Sequence, residues 1–123
     1  MNIQIFGTKK SFDTKKAQRW FKERRITFQF IDMHEKEMSK GELRSVAQAV
    51  GGIDALLNPK SKDEDTLALV QHLAESQRFD KLLENQQVLA EPIVRNGKKA
   101  TVGYYPDVWG AWEEPVLFAD AWV

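Results

Sequence analysis

The sequence predicts an α/β fold with a mixed four-stranded sheet, and three patterns support this prediction. Residues 3–31 alternate as a strand, a helix and a strand. Apolar residues at helical spacing dominate residues 39–86, which we interpret as a helical insertion. An Asn-Gly pair then joins two short apolar strands, and a last helix follows. The predicted order is therefore βαβ, helical insertion, ββα.

The first unit combines two short apolar strands with one amphipathic helix. Residues 3–6 form a predicted buried strand that a Gly-Thr pair ends. Ser11 or Asp13 can cap a helix that runs to about Arg25, with its apolar stripe toward the sheet. Residues 27–31 are rich in β-branched and aromatic side chains, which favours a second strand. A unit this short predicts a parallel strand pair with a right-handed crossover.

The predicted insertion holds three helices. Residues 39–42 form a capping box, and apolar spacing continues from it to Val50, where two glycines end the helix. An acidic start at residues 63–65 and apolar spacing to Leu73 predict a second helix. Residues 79–83 predict a third, shorter one.

The hairpin is the strongest local signal in the chain. Asn96-Gly97 is typical of a type I′ turn, and it lies between predicted strands at residues 93–95 and 98–102. Pro92 stands before the first of these strands, and Pro106 suits the first turn of the last helix.

Length and composition predict one cytoplasmic domain. All 123 residues are expected in it, with the insertion at about 39–86 and a C-terminal tail at about 113–123. The first residues lack the basic region of an export signal, no apolar run is long enough to cross a membrane, and mean hydropathy is −0.49. The chain has no cysteine, which excludes disulfides, thiolate metal ligands and thiol chemistry by this chain itself.

Charge is balanced overall but uneven along the chain. Net charge is zero, so direct nucleic-acid binding is not expected. Residues 1–25 nevertheless carry eight basic and two acidic side chains, which fits either a solvated helix face or an anion site. His34 and His72 are the only histidines and lack further ligands at metal-site spacing, so no metal is expected.

Four segments together resemble the arsenate reductase and Spx family. They are residues 6–17 (FGTKKSFDTKKA), 54–58 (DALLN), 91–98 (EPIVRNGK) and 102–103 (VG), and the match covers residues 1 to about 112. The resemblance implies a thioredoxin-like (glutaredoxin-like) fold, with Pro92 at the place of the family's cis-proline.

The resemblance also implies a degenerate active site. The family's reactive cysteine corresponds to Ser11, and the second cysteine of Spx members corresponds to Thr14. Three arginines that surround the oxyanion in the reductases correspond to Lys60, Glu91 and Tyr104. Amides at a helix N-terminus stabilise a thiolate, whereas a serine hydroxyl stays protonated without a base beside it. Because Glu91 would also repel an anion, arsenate reduction is not expected.

Six residues remain ligand-binding candidates. Lys10, Ser11 and Lys15 could bind a phosphate or carboxylate with helix-end amides, although Ser11 could equally be a simple N-cap. Lys60 and Tyr104 take arginine positions of the family, and Pro92 implies a groove for an extended peptide or glutathione. No catalytic residue and no bound cofactor are expected, except for glutathione as a ligand.

The resulting hypothesis is a non-catalytic binding or regulatory member of this family. One alternative is an accessory of a thiol-dependent reductase system that binds glutathione or an oxyanion, with thiols supplied by its partner. Another is a transcriptional regulator that, as in Spx, contacts the C-terminal domain of the RNA polymerase α subunit. The aromatic C-terminus, with Trp109, Trp112, Phe118 and Trp122, either packs on the domain or anchors a partner. Oligomeric state and partner identity stay open.

Overall fold

The computed structural model describes residues 1–112. In chain order its elements are β1 (Ile3–Gly7), α1 (Phe12–Glu23), β2 (Phe28–Asp32), α2 (Lys40–Val50), a 3₁₀ turn (Ile53–Leu56), α3 (Glu64–His72), α4 (Glu75–Glu84), a second 3₁₀ turn (Gln86–Val88), β3 (Ile93–Asn96), β4 (Lys99–Val102) and α5 (Pro106–Ala111). The predicted order of strands and helices is confirmed.

The four strands form one mixed sheet in the order β2-β1-β3-β4. β1 is parallel to β2, with Ile3 opposite Phe28, and antiparallel to β3, with Ile3 opposite Asn96. β3 and β4 form the antiparallel hairpin. The carboxyl ends of β1 and β2 therefore lie at one edge of the sheet, and the loop that leads into α1 begins there.

Two apolar cores cover the two faces of the sheet. Successive residues of β1 alternate between them, because neighbouring side chains of a strand point to opposite faces. Ile3 and Ile5 contribute to a core with α1 and α5, whereas Phe6 contributes to a core with the insertion helices. Trp109 is fully buried in the first core, and its indole Nε1 donates to Thr101 Oγ1 at 2.8 Å. These contacts pack α1 and α5 against the same face of the sheet.

The hairpin differs from its prediction by one position. Asn96 is the last residue of β3 and pairs with Lys99, so Gly97 and Lys98 are the two turn residues. Gly97 alone has a positive φ of 60°. This is the pattern of a type II′ turn, not the predicted type I′ turn, since type I′ needs a positive φ at both positions.

The boundaries of the first unit also shift. α1 ends at Glu23 and not near Arg25, because Arg25 adopts a left-handed φ of 59° that ends the helix. β2 begins one residue later than predicted, at Phe28, and extends to Asp32.

Two further predictions from the sequence can be compared with the structure only within residues 1–112. Within residues 1–112, no helix is both long enough and apolar enough to cross a bilayer. Trp109 and Trp112 are buried against the domain. Phe118 and Trp122, and the predicted tail at 113–123, lie outside the described residues.

Candidate functional site

Ser11 caps α1 at the end of the loop that follows β1. Its backbone is extended, with φ −73° and ψ 125°, and its Oγ accepts a hydrogen bond from the Thr14 amide at 3.2 Å. An extended backbone and a side-chain acceptor are the properties that a helix N-cap requires. Within residues 1–112, no histidine or carboxylate forms a hydrogen bond with the Ser11 hydroxyl. The described site therefore holds no base in contact with this oxygen.

The carboxylate of Glu91 lies against the same helix end. Its Oε1 accepts hydrogen bonds from the Thr8 amide, from Thr8 Oγ1 at 2.9 Å and from Thr14 Oγ1 at 3.0 Å. Its Oε2 lies 3.1 Å from Thr8 Oγ1. A negative charge is favourable beside the first turn of a helix, where the macrodipole is positive. Glu91 thus occupies donors of the loop and of the first turn of α1 that would otherwise be available to an external anion.

Gly7 allows this close approach. A Cβ atom at Gly7 would lie 2.7 Å from Thr14 Cγ2 and 3.1 Å from Glu91 Oε1. Because Cβ atoms essentially never lie 2.7 Å from another carbon, a side chain at position 7 would push β1 away from the first turn of α1. The glycine is needed for space and not for its φ angle.

Pro92 lies beside the same helix end and precedes β3. The Glu91-Pro92 peptide bond is cis, as the resemblance implied, and the Pro92 carbonyl accepts a hydrogen bond from the Gly103 amide at 2.8 Å. Tyr104 follows Gly103, and its ring lies 4.3 Å from Lys16 Nζ. Pro92 and Tyr104 are therefore brought to the N-terminal half of α1.

The three candidate lysines are not gathered into one site. Lys10 lines a cavity that Glu91 also lines. Lys15 lies in a shallow depression formed by α1 alone, and Lys60 lies in another beside the start of α3. Lys10, Lys15 and Lys60 thus line three different depressions. Whether Lys10, Ser11 and Lys15 bind an anion together stays a prediction.

Comparison with known proteins identifies the family of this chain. The ArsC family model matches residues 6–112. The chain belongs to the ArsC family. A search of curated proteins gave no significant match.

Solved structures show the same fold. An ArsC-family-related protein of Bacteroides fragilis superposes with a TM-score of 0.78 at 18% identity, covering 90% of this chain and 97% of that one. An arsenate reductase of Vibrio cholerae superposes with a TM-score of 0.75 at 22% identity, covering 88% and 94%. The predicted thioredoxin-like fold is therefore confirmed.

Sequence reasoning missed three residues of this ArsC-family site. Thr8 and Thr14 donate hydrogen bonds to Glu91, and the sequence pattern does not predict this pairing. The available signal was the pairing of an acidic residue before the proline with two threonines around the first loop. Phe12 was also missed, and 74% of it is exposed beside Ser11. The arrangement offers hydrogen-bonding and aromatic groups for binding, with a serine whose hydroxyl is already used as a helix cap.

Proposed function

We propose that this chain is a non-catalytic, cytoplasmic member of the ArsC family that binds an extended segment of a protein partner. The observation that carries the proposal is the internal carboxylate of Glu91, which takes the hydrogen bonds of Thr8 and Thr14. An oxyanion approaching this loop would meet a negative charge already satisfied by the loop's own donors. Because the sequence contains no cysteine, the chain also lacks the thiol nucleophile of arsenate reduction.

The surface beside Ser11 supports peptide binding. Phe12 is exposed, and Lys16 Nζ lies 5.8 Å from its ring centre and 4.3 Å from that of Tyr104. Lys16 therefore joins two aromatic rings into one surface, which we call the Phe12 surface. Aromatic rings with a cation among them are typical of protein-binding sites, because they bury large areas with few rotatable bonds.

Free backbone groups border this surface. Within residues 1–112, neither the amide nor the carbonyl of Glu91 forms a backbone hydrogen bond. Both groups can pair with a peptide that lies alongside in an extended conformation, as in strand addition. Lys16 would favour a peptide that carries a carboxylate close to its apolar residue.

The proposal is tested by selecting peptides from a random library on the full chain and mapping them by amide NMR. Selected peptides are expected to shift the amides of Phe12, Glu91 and Tyr104, and to lose binding in a Phe12→Ala variant. Leu69→Ala is the matched control, because Leu69 is also an exposed apolar side chain but lies on α3. Peptides that bind both variants equally would contradict a role for the Phe12 surface.

Two other outcomes would favour the alternatives. Amide shifts around Lys10 to Lys15 in millimolar glutathione, phosphate or arsenate would support a ligand-binding accessory of a reductase system. If the chain retains, at low salt, the C-terminal domain of the RNA polymerase α subunit, that result would support an Spx-like regulator. The carboxylate of Glu91 weighs against the oxyanion arm of the first alternative.

A further inference from the structure

A cavity of about 420 Å³ opens where β1 and β2 end. Thr8 lines it after β1, Met33 and His34 line it after β2, and Leu89 and Glu91 line it from the segment before β3. Small-molecule sites commonly measure roughly 300–1,000 Å³. In open α/β sheets they lie outside the carboxyl ends of the strands, as this cavity does.

Side chains of opposite charge line this cavity without neutralising one another. Lys10 and His34 provide donors, while Glu37 and Glu91 provide carboxylates. Among residues 1–112, none of these four side chains takes part in an ion pair. Lys10 and Glu37 therefore remain available to one ligand. Oε2 of Glu91 also has room for a second donor, because within residues 1–112 its only hydrogen-bond contact is Thr8 Oγ1 at 3.1 Å.

The remaining lining includes two apolar side chains and one glutamine that hydrogen bonds hold in place. Met33 and Leu89 supply apolar contacts. Gln86 is buried, and its side-chain amide both accepts from and donates to the Met38 backbone at 2.8 Å. This double hydrogen bond joins the second 3₁₀ turn to the segment before α2, so the cavity is built into the fold.

We propose that this cavity binds a small zwitterion, namely a free α-amino acid with an apolar side chain. The carboxylate of the ligand faces Lys10 and His34, and its ammonium group faces Glu37 and Glu91. A simple anion would be repelled by the two carboxylates, and a simple cation by Lys10. Both proposals involve Glu91, but they can fail separately. This one is tested at the cavity through Lys10 and Glu37, whereas the peptide site is tested at Phe12.

The first test compares three probes by amide NMR titration of the full chain. L-leucine carries both charges, N-acetyl-L-leucine carries only the carboxylate, and L-leucinamide carries only the ammonium group. Leucine is expected to shift the amides of Thr8, His34 and Leu89. Each analogue is expected to bind about tenfold more weakly or worse, because it leaves either Lys10 or the two glutamates without a charged partner. Absence of shifts with millimolar leucine, or equal binding of N-acetyl-leucine, overturns the proposal.

The second test uses matched variants of exposed side chains. Lys10→Gln and Glu37→Gln are each expected to weaken leucine binding about tenfold, since each removes one charge-assisted contact. Lys9→Gln and Glu35→Gln are the controls, because these residues are exposed in the same two loops but do not line the cavity. Equal losses in the lining variants and their controls would show a general charge effect and would overturn the assignment.

Discussion

Replacing Glu91 with alanine should destabilise the fold through the donors that it leaves without an acceptor. Oε1 accepts hydrogen bonds from the Thr8 amide, the Thr8 hydroxyl and the Thr14 hydroxyl. Thr14 is 0% exposed, so water cannot readily replace the lost acceptor. A hydrogen bond to a charged group contributes roughly 1.5–3 kcal/mol, and three donors that share one oxygen are not additive. We therefore expect a loss of about 2–4 kcal/mol in the free energy of unfolding, a large part of a typical ~5–15 kcal/mol.

Urea denaturation followed by tryptophan fluorescence measures this loss. Glu91→Gln keeps one acceptor oxygen without the charge, and it should cost only about 1 kcal/mol. Glu35→Ala is the control, because Glu35 is exposed and forms no ion pair within residues 1–112. In a double-mutant cycle with Thr14→Val, the coupling energy should be about 1 kcal/mol or more. A Glu91→Ala variant within about 0.5 kcal/mol of the parent, or a coupling energy of zero, would refute the reasoning.

Two further predictions concern other parts of the fold. Trp109→Phe keeps an aromatic ring in the core but removes the indole N–H that donates to the Thr101 hydroxyl at 2.8 Å. Urea denaturation should therefore show a loss of about 1–2 kcal/mol in the free energy of unfolding. An unchanged midpoint would exclude an important contribution from this hydrogen bond. Hydrogen bonds to Asp63 from Gln87 and from Thr66 lower the pKa of the Asp63 carboxyl. The stabilisation that the Asp63 carboxylate gives to α3 is therefore fully present above the unfolded-state pKa of about 3.9, and it is lost as pH falls through the lower folded-state pKa. A carboxyl ¹³C titration measures the folded-state pKa of Asp63. A pKa at or above the unfolded value would contradict the capping contacts.

The sheet was predictable because its strands carry strong local signals. The apolar run at residues 3–6 and the Asn-Gly pair each identify a strand or a turn without tertiary information. The turn was wrong by one residue because Asn96 has a tertiary partner, its Oδ1 accepting from the Asn2 amide at 3.3 Å. With Asn96 in the strand, Gly97 becomes the first turn residue and is the only one of the pair with a positive φ.

The start of a helix was also predictable only where its capping contacts are local. α2 was placed correctly because both hydrogen bonds of its capping box are local, between Ser39 and Glu42. α4 begins at Glu75, earlier than the apolar spacing from Phe79 indicated, and no side chain caps its start at Ala74. The start of α4 therefore lacks a capping residue in the sequence, although Glu75 places an acidic side chain in its first turn.

The candidate site could be predicted only in outline. Ser11 was identified both as a cap and as the counterpart of the family's cysteine, and the cap is what the structure contains. Glu91 was recognised as unfavourable for an anion. Its threonine partners could not be derived, because they lie 83 and 77 positions away in the sequence, beyond the reach of local pattern.

These long separations also affect the order in which the molecule assembles. The Thr8 amide reaches Glu91 only after β1, α1 and the segment before β3 have come together, which closes a loop spanning most of the described chain. Contacts of this kind form late and open only when those elements separate. Hydrogen exchange at the Thr8 amide should therefore proceed through global unfolding and not through local opening of the loop. This single amide, although it lies in a surface loop, would then report the cooperativity of the whole domain.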